Sequence, residues 1–257
     1  MKRIIACGGF SGKYSSFDKN SPDFYRIDDL IFNQQPDKKQ NVLFVPTAGA
    51  DGHDVVSERR NYYESNYNCV FDALLLIDKL ERPKAQARIE KADIIYVNGG
   101  NTLFMVKLWR KLGIDKLLEA AYERGVLISG VSAGANCWHQ YANSNAKKAK
   151  HPDAPLMRVR CLGWKPFLFC PHYLGEDYRR SGLKDMLRDY GGIALGVDDD
   201  TAIEYRNDEW RLLFNGVEGR AWKCFWINNE YQELRLPFDG KFRSLSELTN
   251  KLVVIKL

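Results

Sequence analysis

A serine stands between two glycines at residues 130–134, in the run GVSAG. The apolar residues 126–129 predict a short buried strand before it, and Ala133 to Tyr141 predict a helix after it, so Ser132 falls at a strand-to-helix turn. The pattern G-x-S-x-G matches a nucleophile elbow, in which small neighbours let a strained backbone present the hydroxyl and the next amide faces a developing oxyanion. A serine that only caps a helix gives the same pattern, so the turn alone leaves both interpretations open.

A nucleophilic serine needs a base within hydrogen-bond reach, and the chain has four histidines. His139 follows Ser132 by seven residues on the predicted helix, about 10 Å along its axis, which is too far for proton transfer. Two further histidines fall in loops with no strand to fix them. His172 follows the apolar strand 166–171, so a rigid sheet can aim it; an ordinary loop histidine is the alternative.

A carboxylate is the third member of a triad, because it fixes the imidazole tautomer. Asp153 is the acidic residue between Ser132 and His172 and it lies in a loop, which disfavours the chain order of an α/β-hydrolase. The predicted strand 193–197 runs directly into Asp198-Asp199-Asp200, and three adjacent carboxylates repel one another unless a cation or an imidazolium is close. A solvated acidic turn, or a metal loop, is the alternative.

A glycine pair joins another predicted strand to a helix in the run Asn98-Gly99-Gly100-Asn101-Thr102. Consecutive glycines let backbone N–H groups point into a cleft. We predict that the Gly100 amide pairs with the Ala133 amide to form an oxyanion hole. An anion-binding helix N-terminus is the alternative interpretation.

Strand and helix patterns alternate through the first two hundred residues and must position these side chains. Strands are predicted at 3–7, 41–45, 74–77, 93–97, 126–129, 166–171 and 193–197, and helices at 25–33, 55–67, 84–91, 102–111, 114–124 and through 183–190. This alternation implies right-handed crossovers and a mostly parallel sheet with helices on both faces, a three-layer α/β fold. Ligands bind at the carboxyl ends of the strands of such a sheet, where the serine turn falls.

The pattern changes from about residue 196 to short, aromatic-rich strands joined by tight turns. They are predicted at 202–205, 209–214, 220–227 and 232–236. We interpret residues 206–257 as an antiparallel extension of the same sheet, within a single domain spanning 1–257. Its tryptophans are expected to pack onto the core, and the sequence leaves open whether the extension also pairs subunits into a homodimer.

Composition excludes several functional classes. Apolar runs are far shorter than the ~20 residues that span a bilayer, and the N-terminal MKRIIACGGF lacks the apolar stretch of a signal peptide, so we expect a cytoplasmic protein without membrane contact. The six cysteines form no C-x-x-C pair, so no metal site or disulfide framework is expected. The formal net charge is +5, but basic residues are interleaved with 33 acidic ones, so no nucleic-acid partner is expected.

Taken together and in order, GGNT, GVSAGAN, PHY and GVDDDTA resemble the motifs of the peptidase E and cyanophycinase family of serine hydrolases, from the first strand to about Tyr205. The resemblance implies a fold like the class I glutamine amidotransferases, which is flavodoxin-like. It also implies a triad of Ser132, His172 and Asp199, with Gly100 and Ala133 at the oxyanion. The acidic position is usually glutamate in the family and is aspartate here, so Asp198 is kept as the alternative acid.

The implied activity is hydrolysis of short peptides next to an aspartyl or other acidic residue, through an acyl-enzyme on Ser132 and without a metal or organic cofactor. We assign substrate binding to Asn101, Arg179 and Arg180. The two arginines are chosen because an arginine fork pairs well with a carboxylate; a solvent-facing arginine pair is the competing interpretation. The motifs are also compatible with a cyanophycinase-like or isoaspartyl peptide hydrolase, and with a catalytically silent relative that binds a small ligand. A thiol enzyme would use Cys137, which lies inside the predicted helix and away from the elbow.

Overall fold

The computed structural model describes residues 1–11, 27–35, 37–77, 80–148, 151–216 and 219–252. Its strands are β1 (Arg3–Cys7), β2 (Gln40–Val45), β3 (Cys69–Ala73), β4 (Ile94–Val97), β5 (Leu127–Val131), β6 (His139–Ser144), β7 (Met157–Arg160), β8 (Lys165–Pro171), β9 (Ile193–Val197), β10 (Thr201–Arg206), β11 (Glu209–Phe214), β12 (Ala221–Ile227), β13 (Glu230–Arg235) and β14 (Arg243–Ser244). Its helices are α1 (Ile27–Phe32), α2 (His53–Asn66), α3 (Arg82–Lys91), α4 (Thr102–Leu112), α5 (Ile114–Glu123), α6 (Ala133–Asn136), α7 (Asp177–Tyr190) and α8 (Ser246–Thr249).

The strands form two sheets. The first has eight strands in the order β14-β11-β10-β1-β5-β4-β2-β3, and the second has six in the order β13-β12-β9-β8-β6-β7. In the first sheet β1, β5, β4, β2 and β3 run parallel, and in the second β6, β8 and β9 do so. The predicted α/β fold with mostly parallel strands flanked by helices is confirmed.

The C-terminal strands divide between the two sheets. β10, β11 and β14 extend the first sheet antiparallel to β1, as predicted. β12 and β13 instead continue the second sheet, where β12 pairs with β9. The prediction of one extended sheet therefore differs from the structure, because the alternation of strands and helices does not reveal that β8 and β9 leave the first sheet.

Two predicted elements differ from the structure in their type or length. The edge strand is β3, and the predicted strand at 74–77 is a turn, although Leu74 and Leu76 are buried in the core. The helix predicted at 133–141 ends with α6, and His139 begins β6. In both places an apolar run indicates burial correctly but does not decide between an extended and a turned backbone. Residues 25 and 26 of the helix predicted at 25–33 lie outside the described residues.

One hydrophobic cluster joins both sheets. It includes Ile4 and Ile95 from the first sheet and Phe169 and Leu195 from the second. Separate clusters fill the space between the first sheet and α1 and α2, and between the second sheet and α7. The shared cluster brings the carboxyl ends of β1 and β5 in the first sheet towards those of β8 and β9 in the second. Within the described ranges, no helix is long and apolar enough to cross a membrane.

Candidate active site

The serine turn follows β5 and is held by close backbone packing. Ser132 has a φ of 55°, and its N–H donates a hydrogen bond to Cys7 O over 3.0 Å. A Cβ at Gly130 would lie 2.4 Å from Gly134 O, and one at Gly134 would lie 2.1 Å from Val97 O. Only glycine fits at both positions. The two glycines of the motif therefore let α6 begin directly against β4, with the serine at a positive φ between them.

His172 lies at the end of β8 and joins the serine to a carboxylate. The Ser132 hydroxyl lies 2.9 Å from His172 Nε2, and His172 Nδ1 lies 2.6 Å from Asp199 Oδ1. Because an ionised carboxylate only accepts, Nδ1 carries the proton and Nε2 is left to accept from the serine. The side chains of His172 and Asp199 are 24% and 18% exposed, so a substrate can reach them. The structure thus brings together the three residues predicted from separate motifs.

The three consecutive aspartates have three different partners. Asp199 forms a bridge with Gly9 and points its carboxylate at the histidine. Asp198 Oδ1 accepts hydrogen bonds from the backbone N–H groups of Leu174 (2.9 Å) and Gly175 (3.0 Å). Asp200 accepts from the Ser11 side chain and N–H. Successive side chains on an extended chain point in opposite directions, which separates Asp198 from Asp199. Asp200 has a φ of 59° and begins a turn, so its carboxylate is directed elsewhere.

Gly9 touches two members of this relay, although the sequence motifs did not mark it as functional. A Cβ at Gly9 would lie 2.0 Å from Asp199 Oδ1 and 2.4 Å from His172 Nδ1. A glycine pair directly after the first strand is the sequence signal that could have identified it. The absence of a side chain at this position leaves the space in which the imidazole and the carboxylate meet.

The glycine pair between β4 and α4 lies beside the serine. The Asn98 N–H donates to Val45 O and the Asn101 N–H to Ala48 O, so the remaining two amides of this loop belong to Gly99 and Gly100. Gly100 has a φ of 136°, and its position against Ala48 leaves no room for a Cβ. Directly after the serine, the Ala133 amide belongs to the first turn of α6, where a helix offers no internal acceptor.

A side-chain hydrogen bond connects the two segments that bear the predicted oxyanion donors. Asn136 Nδ2 in α6 donates to Thr102 Oγ1 at the start of α4 over 3.2 Å, and both residues are buried. The sequence interpretation missed Asn136, because an asparagine in a helix gives no signal of a long-range partner.

The three residues predicted to bind substrate already have partners within the protein. Asn101 caps α4, where its side chain accepts from the Phe104 N–H over 3.0 Å. Arg179 is 2% exposed; it donates through Nη1 to Asn143 O over 2.8 Å and pairs with Glu176.

Arg180 has a more open environment than Arg179. Its side chain is 60% exposed and its guanidinium binds Glu233 over 2.7 Å and 3.0 Å. The predicted substrate contacts of these arginines stay predictions, and any substrate carboxylate would compete with a resident acidic side chain.

Cys137 lies in a poor environment for a nucleophile. The residue is fully buried next to α6, burial raises the pKa of its thiol well above the usual range, and its Sγ donates to Gly134 O over 3.1 Å. These properties favour an unreactive thiol. In the part of the chain that the structure describes, no group of three or more histidine, cysteine or acidic side chains is arranged to hold a metal ion.

Comparisons with known proteins find similarity to peptidases of one family. The sequence profile of peptidase family S51 matches residues 13–213. The chain is 31% identical over 242 residues to the uncharacterized peptidase YgaJ of Bacillus subtilis (strain 168), covering 92% of this chain and 98% of that protein. It is 25% identical over 142 residues to a probable alpha-aspartyl dipeptidase of Drosophila melanogaster, covering 51% and 58% of the two chains. A crystal structure of a putative peptidase E protein from Listeria monocytogenes EGD-e superposes with a TM-score of 0.61 at 21% identity, covering 84% of this chain and all of that one.

Proposed function

This chain belongs to peptidase family S51 and is a serine-type peptidase, and from that premise we propose that Ser132, His172 and Asp199 are its catalytic triad. The observation that carries the proposal is the continuous relay from Ser132 Oγ through the imidazole to Asp199 Oδ1, with hydrogen bonds of 2.9 Å and 2.6 Å. Nucleophile, base and orienting acid are within hydrogen-bond reach of one another, which is the geometric requirement for nucleophilic catalysis.

In the proposed reaction, His172 Nε2 removes the hydroxyl proton as Ser132 Oγ attacks the scissile carbonyl carbon. The resulting imidazolium is stabilised by the Asp199 carboxylate and then gives its proton to the leaving amine, so that the C–N bond breaks and an acyl-enzyme forms on the serine. Water attacks the ester carbonyl and loses a proton to His172, and the acid product leaves as the serine hydroxyl is restored.

The negative charge of each tetrahedral intermediate develops on the former carbonyl oxygen. We assign the amides of Gly100 and Ala133 to that oxygen, since Ala133 directly follows the serine and the loop of Gly99 and Gly100 packs against it. Donors that are already oriented by the fold need no reorganisation during the reaction, which makes them effective at stabilising a transition state.

For the substrate, we propose a short peptide with an acidic residue next to the scissile bond. A relative named as a probable alpha-aspartyl dipeptidase supports this preference. Of the two arginines after His172, Arg180 suits the role better, because its side chain is 60% exposed and a substrate carboxylate can reach it. Arg179 is buried, so separating it from Glu176 would leave a charge without a partner in a site away from water.

The test is hydrolysis of a peptide panel: Asp-X and X-Asp dipeptides, β-aspartyl dipeptides and neutral controls of the same length. Ser132→Ala is expected to abolish turnover of every peptide while the protein stays folded. Arg180→Met is expected to raise KM for the acidic peptides and to leave the neutral ones unchanged, whereas Glu233→Gln, which removes the competing carboxylate, is expected to lower KM for the acidic peptides.

Full activity in the folded Ser132→Ala variant would rule out the triad. Equal cleavage of acidic and neutral peptides by the wild-type protein would leave the triad in place but exclude the acidic preference. Cleavage confined to the β-aspartyl members would replace the α-aspartyl preference with an isopeptide one.

A further inference from the structure

Asp198 lies next to the relay but faces away from it. Its side chain is 1% exposed, and Oδ1 accepts the N–H groups of Leu174 and Gly175, which belong to the turn directly after His172. A buried carboxylate costs free energy unless hydrogen bonds and an opposite charge compensate it. Two backbone N–H groups bind the same carboxylate oxygen, and both belong to the turn that follows the histidine. The carboxylate therefore holds this turn in place.

The turn needs such support because His172 has a φ of 52°. A residue with a side chain adopts this conformation at a cost of about 1–3 kcal/mol, and it persists only where its surroundings over-determine it. On the carbonyl side, His172 O accepts the Glu176 N–H over 3.2 Å. On the side of the second sheet, the Tyr173 N–H donates to Val197 O over 3.3 Å. The two bonds to Asp198 add a constraint on Leu174 and Gly175 of this turn, over 2.9 Å and 3.0 Å.

The same contact reaches Asp199 through Gly175. A Cβ at Gly175 would lie 2.6 Å from Asp199 Oδ2, so the Gly175 backbone packs against the far oxygen of the triad carboxylate. When Asp198 binds the Gly175 N–H, it limits the movement of the surface on which Asp199 rests. Asp198 thus acts on both ends of the His172–Asp199 hydrogen bond without touching either ring nitrogen or the serine.

Arg220 holds Asp198 from the opposite side. Its Nη2 lies 3.1 Å from Asp198 Oδ2, and its backbone carbonyl accepts the Asp198 N–H over 2.9 Å. The Arg220 N–H in turn donates to Thr201 Oγ1 over 3.0 Å. The charge of the buried carboxylate is therefore balanced by the guanidinium of a residue whose backbone N–H and carbonyl are both bound, at the point where β9 of the second sheet passes to β10 of the first.

We propose that Asp198, held by Arg220, is a positioning residue of the catalytic site: it fixes the turn after His172 so that the imidazole meets Ser132 and Asp199 at hydrogen-bond distance. This role rests on the proposed function. It also differs from that of a triad acid, because Asp198 contacts backbone amides and an arginine, whereas a triad acid contacts the imidazole.

The experiment measures the second-order rate constant with which a biotinylated fluorophosphonate modifies Ser132, alongside kcat and KM for a peptide that the wild-type protein cleaves. Asp198→Ala removes the acceptor and is expected to slow modification about 100-fold, since a misplacement of about 1 Å has an effect of that size. For the peptide, the loss is expected in kcat, and KM should stay nearly unchanged. Asp198→Asn keeps an oxygen for both N–H groups and is expected to retain most of the rate. Asp199→Asn, by contrast, is expected to lose about 10⁴-fold, because the wrong imidazole tautomer is then favoured.

Asp239 provides a control with the same kinds of partner on the protein surface, where its side chain is 39% exposed. It also accepts a backbone N–H (from Lys241, 3.1 Å) and pairs with an arginine (Arg243, 3.0 Å), but it lies in the turn before β14. Asp239→Ala is expected to react at the wild-type rate. As a spectroscopic readout, the far-downfield proton resonance of the His172 Nδ1–H is expected to shift in Asp198→Ala and to stay unchanged in Asp239→Ala.

The outcomes separate the two proposals. Failure of the fluorophosphonate to modify wild-type Ser132 would overturn the proposed function itself. If the wild-type protein reacts and folded Asp198→Ala reacts equally fast, the positioning role is overturned while the triad stands. A loss in Asp198→Asn as large as that in Asp199→Asn would also overturn it, since Asp198 would then be acting as the triad acid. Should Asp198→Ala not fold, Arg220→Met decides: a loss of about tenfold or more supports the role, and an unchanged rate overturns it.

Discussion

Ser132 and His172 both have a positive φ, of 55° and 52°, and each directly follows a buried strand. Strain of this kind costs free energy and is retained where the surrounding structure supports it, which is often at a functional site. Here the support comes from residues without side chains, since Gly130 and Gly134 admit the serine turn and Gly9 admits the imidazole and carboxylate. At this scale the sequence identifies the reactive residues, but it identifies only some of the glycines that make room for them.

Gly9→Ala tests this role for an absent side chain. The new methyl carbon would lie 2.0 Å from Asp199 Oδ1 and 2.4 Å from His172 Nδ1, so both side chains must move apart and their hydrogen bond must lengthen. We expect kcat to fall at least about 100-fold, in line with a displacement of about 1 Å at a reacting group. Steady-state kinetics on a cleaved peptide measure the effect.

The matched control is Gly52→Ala. Around Gly52, a Cβ would find its nearest neighbours at 3.7 Å and 3.9 Å, which are ordinary contacts. Its kcat should equal that of the wild-type protein. If Gly9→Ala were as active as Gly52→Ala, the space at Gly9 would have no part in holding the relay.

At the scale of elements, the short helix α6 is the feature that sequence periodicity did not predict. The helix ends at Asn136 and His139 begins β6. The His139 ring stacks on Phe169 with centroids 4.4 Å apart, and its nitrogens bond to Ala135 O and the Tyr205 hydroxyl, each over 2.9 Å. The sequence excluded His139 as the base because of its distance along a helix. In the structure it is excluded because it is buried and both of its nitrogens are occupied.

This buried histidine predicts an acid-sensitive stability. Burial lowers the pKa of His139 to about 3, whereas an unfolded histidine titrates near 6.5. Below about pH 6.5 the unfolded chain therefore binds a proton that the folded protein does not, so the free energy of unfolding falls as the pH drops towards 3, by up to about 1.4 kcal/mol per pH unit from this one group. Above about pH 6.5 the group contributes no slope.

Urea unfolding at a series of pH values measures this dependence. His139→Phe should be less stable near neutral pH, because it loses two hydrogen bonds, but it should show a shallower decline in acid. His151→Gln, which removes an exposed histidine, is the control substitution. If the free energy of unfolding fell equally steeply with decreasing pH in the wild type and in His139→Phe, His139 would not be the source of the acid sensitivity.

At the scale of the whole molecule, contacts between the two sheets determine how the chain holds together. Lys223 of β12 is fully buried, and its Nζ donates to Glu247 O (2.7 Å) and Asn250 O (2.6 Å) in and after α8. α8 follows β14 of the first sheet, so this lysine joins the C-terminal segment of one sheet to a strand of the second. The prediction of one domain over residues 1–257 stays a prediction, and the core cluster shared by both sheets favours a single unfolding transition.

Lys223→Met removes the donors while keeping most of the side-chain volume. Two carbonyl groups then lose a charged donor in a buried site, so we expect the free energy of unfolding to fall by about 1–3 kcal/mol, a decrease in Tm of about 2–4 °C per kcal/mol for a chain of this size. Scanning calorimetry measures the shift and shows whether one transition remains. The kcat of the folded protein should not change, because the substitution lies away from the relay.

Lys116→Met is the comparison for a surface lysine. Lys116 pairs with Glu119 over 2.9 Å but its side chain is exposed, and such pairs contribute little. A Tm as high in Lys223→Met as in Lys116→Met would show that the link to α8 does not stabilise the fold. Two separate transitions in the wild-type protein would contradict the single domain.

The sequence by itself determined the α/β class, the family, and the serine and histidine of the relay, and it narrowed the acid to Asp199 or Asp198. It could do so because a serine between glycines, a histidine after a strand and a carboxylate after a strand are local patterns, and the carboxyl ends of parallel strands converge. Only the tertiary structure decided that the strands form two sheets, that Asp199 and not Asp198 faces His172, and that both arginines after the histidine already have acidic partners. These features depend on which distant segments pack together and on which side of the backbone each aspartate points, and neither is encoded in the spacing of residue types along the chain.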